Sequence, residues 1–149
     1  MLSEVDTDRY DAVFVVGGHG PMKDLAVEPA MTVVANKILN NPKKVFSSVC
    51  HGTACLLSVF DDNGDWLFRG RKLTGFSNEE ENQATFAGNA PWLLEDRLRL
   101  AGANYQKLDP WTPHVVVDGN LATGQQQASS QLLADTVVKL LSELSSANA

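Results

Sequence analysis

The chain has 149 residues, 44% hydrophobic and 20% charged. That ordinary globular composition excludes general disorder and fits a single domain, 1–149. Lysine and arginine total 12 against 18 acidic residues, a net charge of −6, which argues against a nucleic-acid partner. No apolar run approaches the roughly 18 residues of a membrane span, and the acidic start Met1 to Asp8 has no apolar signal segment. Two cysteines, Cys50 and Cys55, are too few for a disulfide framework, so a reducing, cytoplasmic compartment is expected.

The elements follow in chain order. Tyr10 to Val16 is an apolar run stopped by Gly17-Gly18-His19-Gly20, as suits a buried parallel strand. Glu28 to Asn40 reads as a helix with Ala30, Val34 and Ile38 on one face, stopped by Asn41-Pro42. Lys44 to Val49 is a second strand. Thr53 to Val59 is apolar and helical, entered directly from that strand. Around the turn-rich Asp61 to Asp65, the pieces ending in Phe68 and Thr74 form a hairpin or a further strand. Pro91 to Ala101 is a helix, with proline at its start and Gly102 just past its end. Val115 to Val117 and Leu121 to Thr123 are a strand pair turned by Asp118-Gly119. Ser129 to Leu144 is the last helix, with Leu133, Val137, Leu140, Leu141 and Leu144 as its apolar face; Ser145 to Ala149 is a fraying polar tail. Strands alternating with helices imply a mostly parallel sheet, with ligands at the carboxyl ends of the strands. Two motifs fall there, Gly17-Gly18-His19-Gly20 and Cys50-His51-Gly52.

Cys50, between strand and helix with Gly52 beyond it, has the layout of a nucleophile elbow. A helix start there favours thiolate over thiol. Cys55 lies inside the apolar stretch and reads as an inert core thiol. His51 is either the base beside Cys50 or a pocket-lining turn residue. The glycine turn fits neither phosphate-binding fingerprint. Its amides, with those of the elbow, suit an oxyanion hole. His19 lines the pocket or stands solvated in the loop. Residue chemistry alone does not choose an orienting acid among Glu79, Glu80 and Glu81. His114 reads as a rim residue. The tryptophans Trp66, Trp92 and Trp111 read as packing residues. Cys50, His51 and Cys55 lack zinc-ligand spacing, so no metal is expected.

Five stretches together resemble the ThiJ/PfpI superfamily, within it the heat-shock-type branch: VVGGHGPMKDLA (15–26), SVCHGTACLL (48–57), GRKLTGFSNEEE (70–81), PWLLEDRLRLAGANY (91–105) and HVVVDGNLATGQ (114–125). The resemblance runs in order from Tyr10 to Leu144. It implies a flavodoxin-like α/β three-layer sandwich with a mostly parallel sheet. It implies a reactive cysteine at Cys50 with His51 and Glu81 as catalytic partners, an oxyanion hole at Gly18 and the His51 amide, and a pocket at Gly17 and His19. No cofactor is implied. The activities of the family include glutathione-independent conversion of methylglyoxal to lactate, deglycation, peptidase or amidase action, and holdase chaperoning. A small aldehyde is the expected partner, and a homodimer the expected assembly. Family domains begin with a strand-helix-strand segment whose acidic residue meets the cysteine. Only Met1 to Arg9 precede the first strand here, and Glu4 is wrongly placed to replace that acid. The expectation is an N-terminally truncated sandwich, the C-terminal two-thirds of the domain, with an exposed sheet that another chain covers. Gln125-Gln126-Gln127-Ala128 stands where relatives often carry a proline.

Overall fold

The computed structural model describes residues 1–146. Strand β1 (Ala12–Val15) is followed by α1 (Ala30–Leu39) and β2 (Val45–Val49). Next come a 3₁₀ helix over Cys50–Ser58, β3 (Lys72–Leu73), α2 (Asn78–Gln83), α3 (Leu94–Ala101) and β4 (Asn104–Tyr105). The chain closes with β5 (Val115–Asp118), β6 (Leu121–Gly124) and α4 (Ser130–Ser146).

The main sheet has the order β1-β2-β6-β5. β1 and β6 flank β2 in parallel, with Val13 opposite Phe46 and Ser47 opposite Ala122. β5 runs antiparallel to β6, joined by a tight turn in which Gly119 takes φ 61°. β3 and β4 form a small separate parallel sheet. The result is the mostly parallel sheet that the alternating pattern implies, in the flavodoxin-like form that the resemblance implies. Every residue of β2 is buried, so both faces of the sheet are covered at its centre, as in a three-layer sandwich. β1 stands at one end of the strand order among the described residues, with Phe14 exposed.

The core joins Ile38 of α1, Phe46 and Val49 of β2, Leu56, Leu73, Leu98, Leu121 and Leu133. Cys55 is fully buried in it. The buried face of α1 is Met31, Val34, Ala35 and Ile38, which keeps Val34 and Ile38 of the expected face while Ala30 is only half-buried. α3 starts at Leu94 rather than Pro91, because Leu93 keeps an extended backbone at its N-cap. It ends as expected at Gly102, whose φ of 103° suits glycine. Of the ambiguous pieces after Val59, Phe60 and Trp66 form a single antiparallel bridge over the Asp61 to Asp65 turn, and Lys72–Leu73 becomes β3. The expected fraying tail is helical at 145–146; 147–149 lie outside the described residues. No helix among the described residues is long and apolar enough to cross a membrane.

Candidate active site

Cys50 is the first residue after β2 and has φ 60°. A left-handed backbone on a non-glycine residue holds about 1–3 kcal/mol of strain, kept only where the surroundings enforce it. Two glycines make room for this elbow. A Cβ on Gly52 would stand 2.5 Å from the Val16 carbonyl oxygen, and one on Gly17 would stand 2.8 Å from the Cys50 Cβ. Hence the end of β1 lies directly against the elbow.

The expected residues converge. His51 Nδ1 lies 3.4 Å from Cys50 Sγ, and His51 Nε2 lies 2.6 Å from Glu81 Oε2. A carboxylate accepts, so Nε2 carries the ring hydrogen and Nδ1 presents its lone pair to the thiol. The backbone amides of His51 and Gly18 both donate to the Cys50 sulfur. Gly18 reaches that position with φ 93°, a conformation glycine adopts freely. These are the two amides expected to form the oxyanion hole.

Electrostatics here differ from the sequence expectation. Burial pushes the Cys50 thiol up to about 11; the two amides pull it back, while Glu80 and Glu81 push it further up. The helix start that was to favour thiolate is outweighed, because among the described residues the charges that act on the sulfur are the Glu80 and Glu81 carboxylates, which add to desolvation. Burial likewise lowers His51, although its bond to Glu81 opposes the shift. Near neutrality the pair therefore rests as thiol and neutral imidazole.

The three glutamates separate cleanly. Ser77 caps α2, its hydroxyl accepting from the Glu80 amide, while Glu80 Oε2 accepts from the Ser77 amide and hydroxyl. Glu80 Oε1 accepts from the Trp111 amide and from Gln125 Nε2. Glu80 is thus a buried structural brace. Glu79 is exposed enough to pair with Lys107 at 3.7 Å. One position on from Glu80, Glu81 is buried and aims at His51.

His19 stands between pocket and solvent. Its side chain is 46% exposed. Its ring lies 4.4 Å from that of His51, and its Nε2 lies 3.5 Å from Glu81 Oε1. It also lines a cavity of about 210 Å³ with Met22, Phe86 and Pro91. His114 sits apart, its backbone bonded to Ser129 and Gln125; burial lowers its imidazole.

Several site residues carried no sequence signal strong enough to single them out. Phe76 stacks on the other side of His51 at 4.3 Å, and Phe86 meets His19 edge-on at 4.8 Å. Trp66 is a core residue bonded to Leu56, whereas Trp111 packs from a partly exposed position. It has φ 66°, meets Phe76 edge-on and donates its indole N–H to Gln83. Gln125, in the stretch where relatives often carry a proline, is fully buried and holds Glu80 and the Leu108 backbone. His19, His51 and Glu81 bring three potential ligand atoms within 4.8 Å of one another, a convergence from three distant segments that local spacing does not reveal.

A sequence profile of the DJ-1/PfpI family matches residues 1–140. The chain is 30% identical over 129 residues to the bovine (Bos taurus) protein named glutamine amidotransferase-like class 1 domain-containing protein 1, covering 87% of this chain and 58% of that one. It is 30% identical over 146 residues to a probable glutathione-independent glyoxalase of Schizosaccharomyces pombe, covering 93% and 56%. The crystal structure of the rapid encystment protein of Francisella tularensis superposes with a TM-score of 0.90 at 34% identity, over 94% of this chain and 62% of that one. The chain therefore spans less than two thirds of the length of these relatives.

Proposed function

The chain belongs to the DJ-1/PfpI family, and from that premise we propose that it is a cysteine-dependent enzyme of small reactive carbonyls, converting methylglyoxal to lactate without glutathione. The observation that carries this reading is the unbroken relay from Cys50 through His51 to Glu81, with the Gly18 and His51 amides on the reacting sulfur. The name of the yeast relative agrees with it.

The chemistry follows from the resting protonation. Cys50 Sγ bonds to the aldehyde carbon as its proton passes to His51 Nδ1. Negative charge on the former carbonyl oxygen is met by the Gly18 and His51 amides. His51 returns its proton to that oxygen, giving a neutral hemithioacetal. As a free base again, it takes the C1 proton and delivers it to C2 by way of an enediol, while the hydroxyl proton passes from the C1 oxygen to the former ketone oxygen on C2, producing a lactoyl thioester. Water then cleaves the thioester, releasing lactate and the Cys50 thiol. One methylglyoxal and one water are consumed for each lactate, so no external oxidant or cofactor enters the balance. Glu81 keeps the His51 ring oriented throughout.

The test is lactate formation from methylglyoxal by purified protein in glutathione-free buffer. Wild type is expected to turn over, and Cys50→Ser to lose about 10³-fold or more. Turnover that survives this substitution overturns the reading.

A second reading, a holdase without turnover, draws on the exposed apolar side chains Phe14, Val16, Val27 and Val33. It expects suppression of client aggregation to persist in Cys50→Ala. Loss of suppression in that variant counts against it.

A further inference from the structure

We propose that His19, His51 and Glu81 form a binding site for a borderline divalent cation such as Zn²⁺, and that its occupancy switches off the base at Cys50. Two imidazoles and one carboxylate are a donor set that first-row divalent ions favour, leaving further positions for water. All three ligand atoms lie within 4.8 Å of one another. Ligand atoms about 2.0–2.2 Å from a tetrahedral ion stand roughly 3.3–3.6 Å apart. His19 Nε2 and Glu81 Oε1 already have a 3.5 Å separation. The His51 Nε2 to Glu81 Oε2 distance is 2.6 Å, a hydrogen-bond length, so the carboxylate turns aside as the ion enters. Access is available from the exposed side of His19 and the cavity beside it.

Occupancy has a definite chemical consequence. The hydrogen on His51 Nε2 must leave that nitrogen, and a neutral imidazole coordinated through Nε2 carries its hydrogen on Nδ1. Nδ1 then faces Cys50 as a donor and no longer as a base. The cation and the catalytic relay are thus mutually exclusive uses of His51. Cys50 Sγ lies on the Nδ1 side of the ring, away from the ligating nitrogen, so it contributes no ligand. The binding claim stands on this geometry alone, whereas the inhibitory claim rests on the proposed reaction.

The experiment titrates the metal-free wild-type protein with Zn²⁺ by calorimetry and with Co²⁺ by absorption. One equivalent is expected to bind. His19→Ala, at a half-exposed position that threatens folding least, is expected to weaken binding tenfold or more. Glu81→Gln is expected to do the same, and Cys50→Ser to leave it within twofold. The Co²⁺ spectrum is expected to lack a thiolate charge-transfer band. Loss of binding in Cys50→Ser, a thiolate band, or unchanged binding in both His19→Ala and Glu81→Gln overturns the site. Alkylation of Cys50, followed with and without one equivalent of Zn²⁺, reads the inhibitory half without needing a substrate. Slowing by tenfold or more in wild type but not in His19→Ala is expected; an equal rate with and without Zn²⁺ overturns the switch while leaving the binding result intact.

Discussion

Gly17 and Cys50 are packed so closely that a methyl group on the first would sit 2.8 Å from the Cβ of the second and 3.4 Å from its sulfur. The turn after β1 and the elbow after β2 are therefore one structural unit. Gly17→Ala must push the elbow aside. The expected result is destabilisation of about 1–3 kcal/mol in denaturant titration and a fall in kcat/KM larger than the loss of folded protein explains. Wild-type activity and stability in Gly17→Ala would show that the contact is easily relieved.

The pH profile separates a resting thiol from a resting thiolate. The thiol is pushed up to about 11, and His51 is lowered from 6.5, in both cases first by burial. Activity that depends on neutral His51 rises with pH through an inflection below 6.5, then stays level across neutrality. A resting ion pair would instead place the Cys50 inflection well below its ordinary value of about 8.5. The measurement is kcat/KM against pH, beside the alkylation rate of Cys50 in a Cys55→Ser background.

Glu81→Gln keeps the shape of the side chain but removes the negative charge that holds His51 with hydrogen on Nε2. An amide can present either its oxygen or its NH₂ to the ring, and the second choice puts the hydrogen on Nδ1. A drop of about 10²–10⁴ in kcat is expected, with little change in KM. A small drop would assign Glu81 to structure alone. Release of a fluorogenic amide by wild type, lost in the same variant, would extend the reading to hydrolysis.

Gln125 is a buried strut. Its Nε2 bonds to Glu80 and to the Leu108 carbonyl, and its Oε1 accepts from the Leu108 amide. Gln125→Ala leaves buried partners unpaired, at a cost of about 1–3 kcal/mol for each such group. Chemical denaturation is expected to show that loss, accompanied by weaker activity as α2, which carries Glu81, loosens.

Glu95 supplies an acid-sensitive contribution to stability. Burial pushes its carboxyl up, but the Asn78 amide, Arg99 and Lys107 together pull it below the ordinary range. Its folded value lies below its unfolded one. Its stabilisation is thus full above about pH 4.5 and is lost as pH falls through the folded value. Wild type minus Glu95→Gln stability, measured by thermal melting from about pH 7 to about pH 3, is expected to shrink toward the acid end. A constant difference would remove the ionised carboxylate as its source.

The sequence by itself determined the alternating architecture and the two strand ends that bear chemistry. The apolar runs into Gly17 and Cys50 are local signals, and glycines at 17, 18 and 52 mark where backbone must approach backbone. The resemblance carried Glu81. Chain chemistry alone did not choose among Glu79, Glu80 and Glu81, because burial, ion pairing and His51 orientation are decided by what α2 packs against. Tertiary structure alone decided the protonation of the pair. A helix start predicts thiolate, yet desolvation by the assembled core, reinforced by Glu80 and Glu81, wins. It also decided the convergence of His19 on Glu81 and the aromatic walls at Phe76, Phe86 and Trp111. The contact of His19 with Glu81 joins residues 62 positions apart in the chain, and spacing along a sequence carries no record of it.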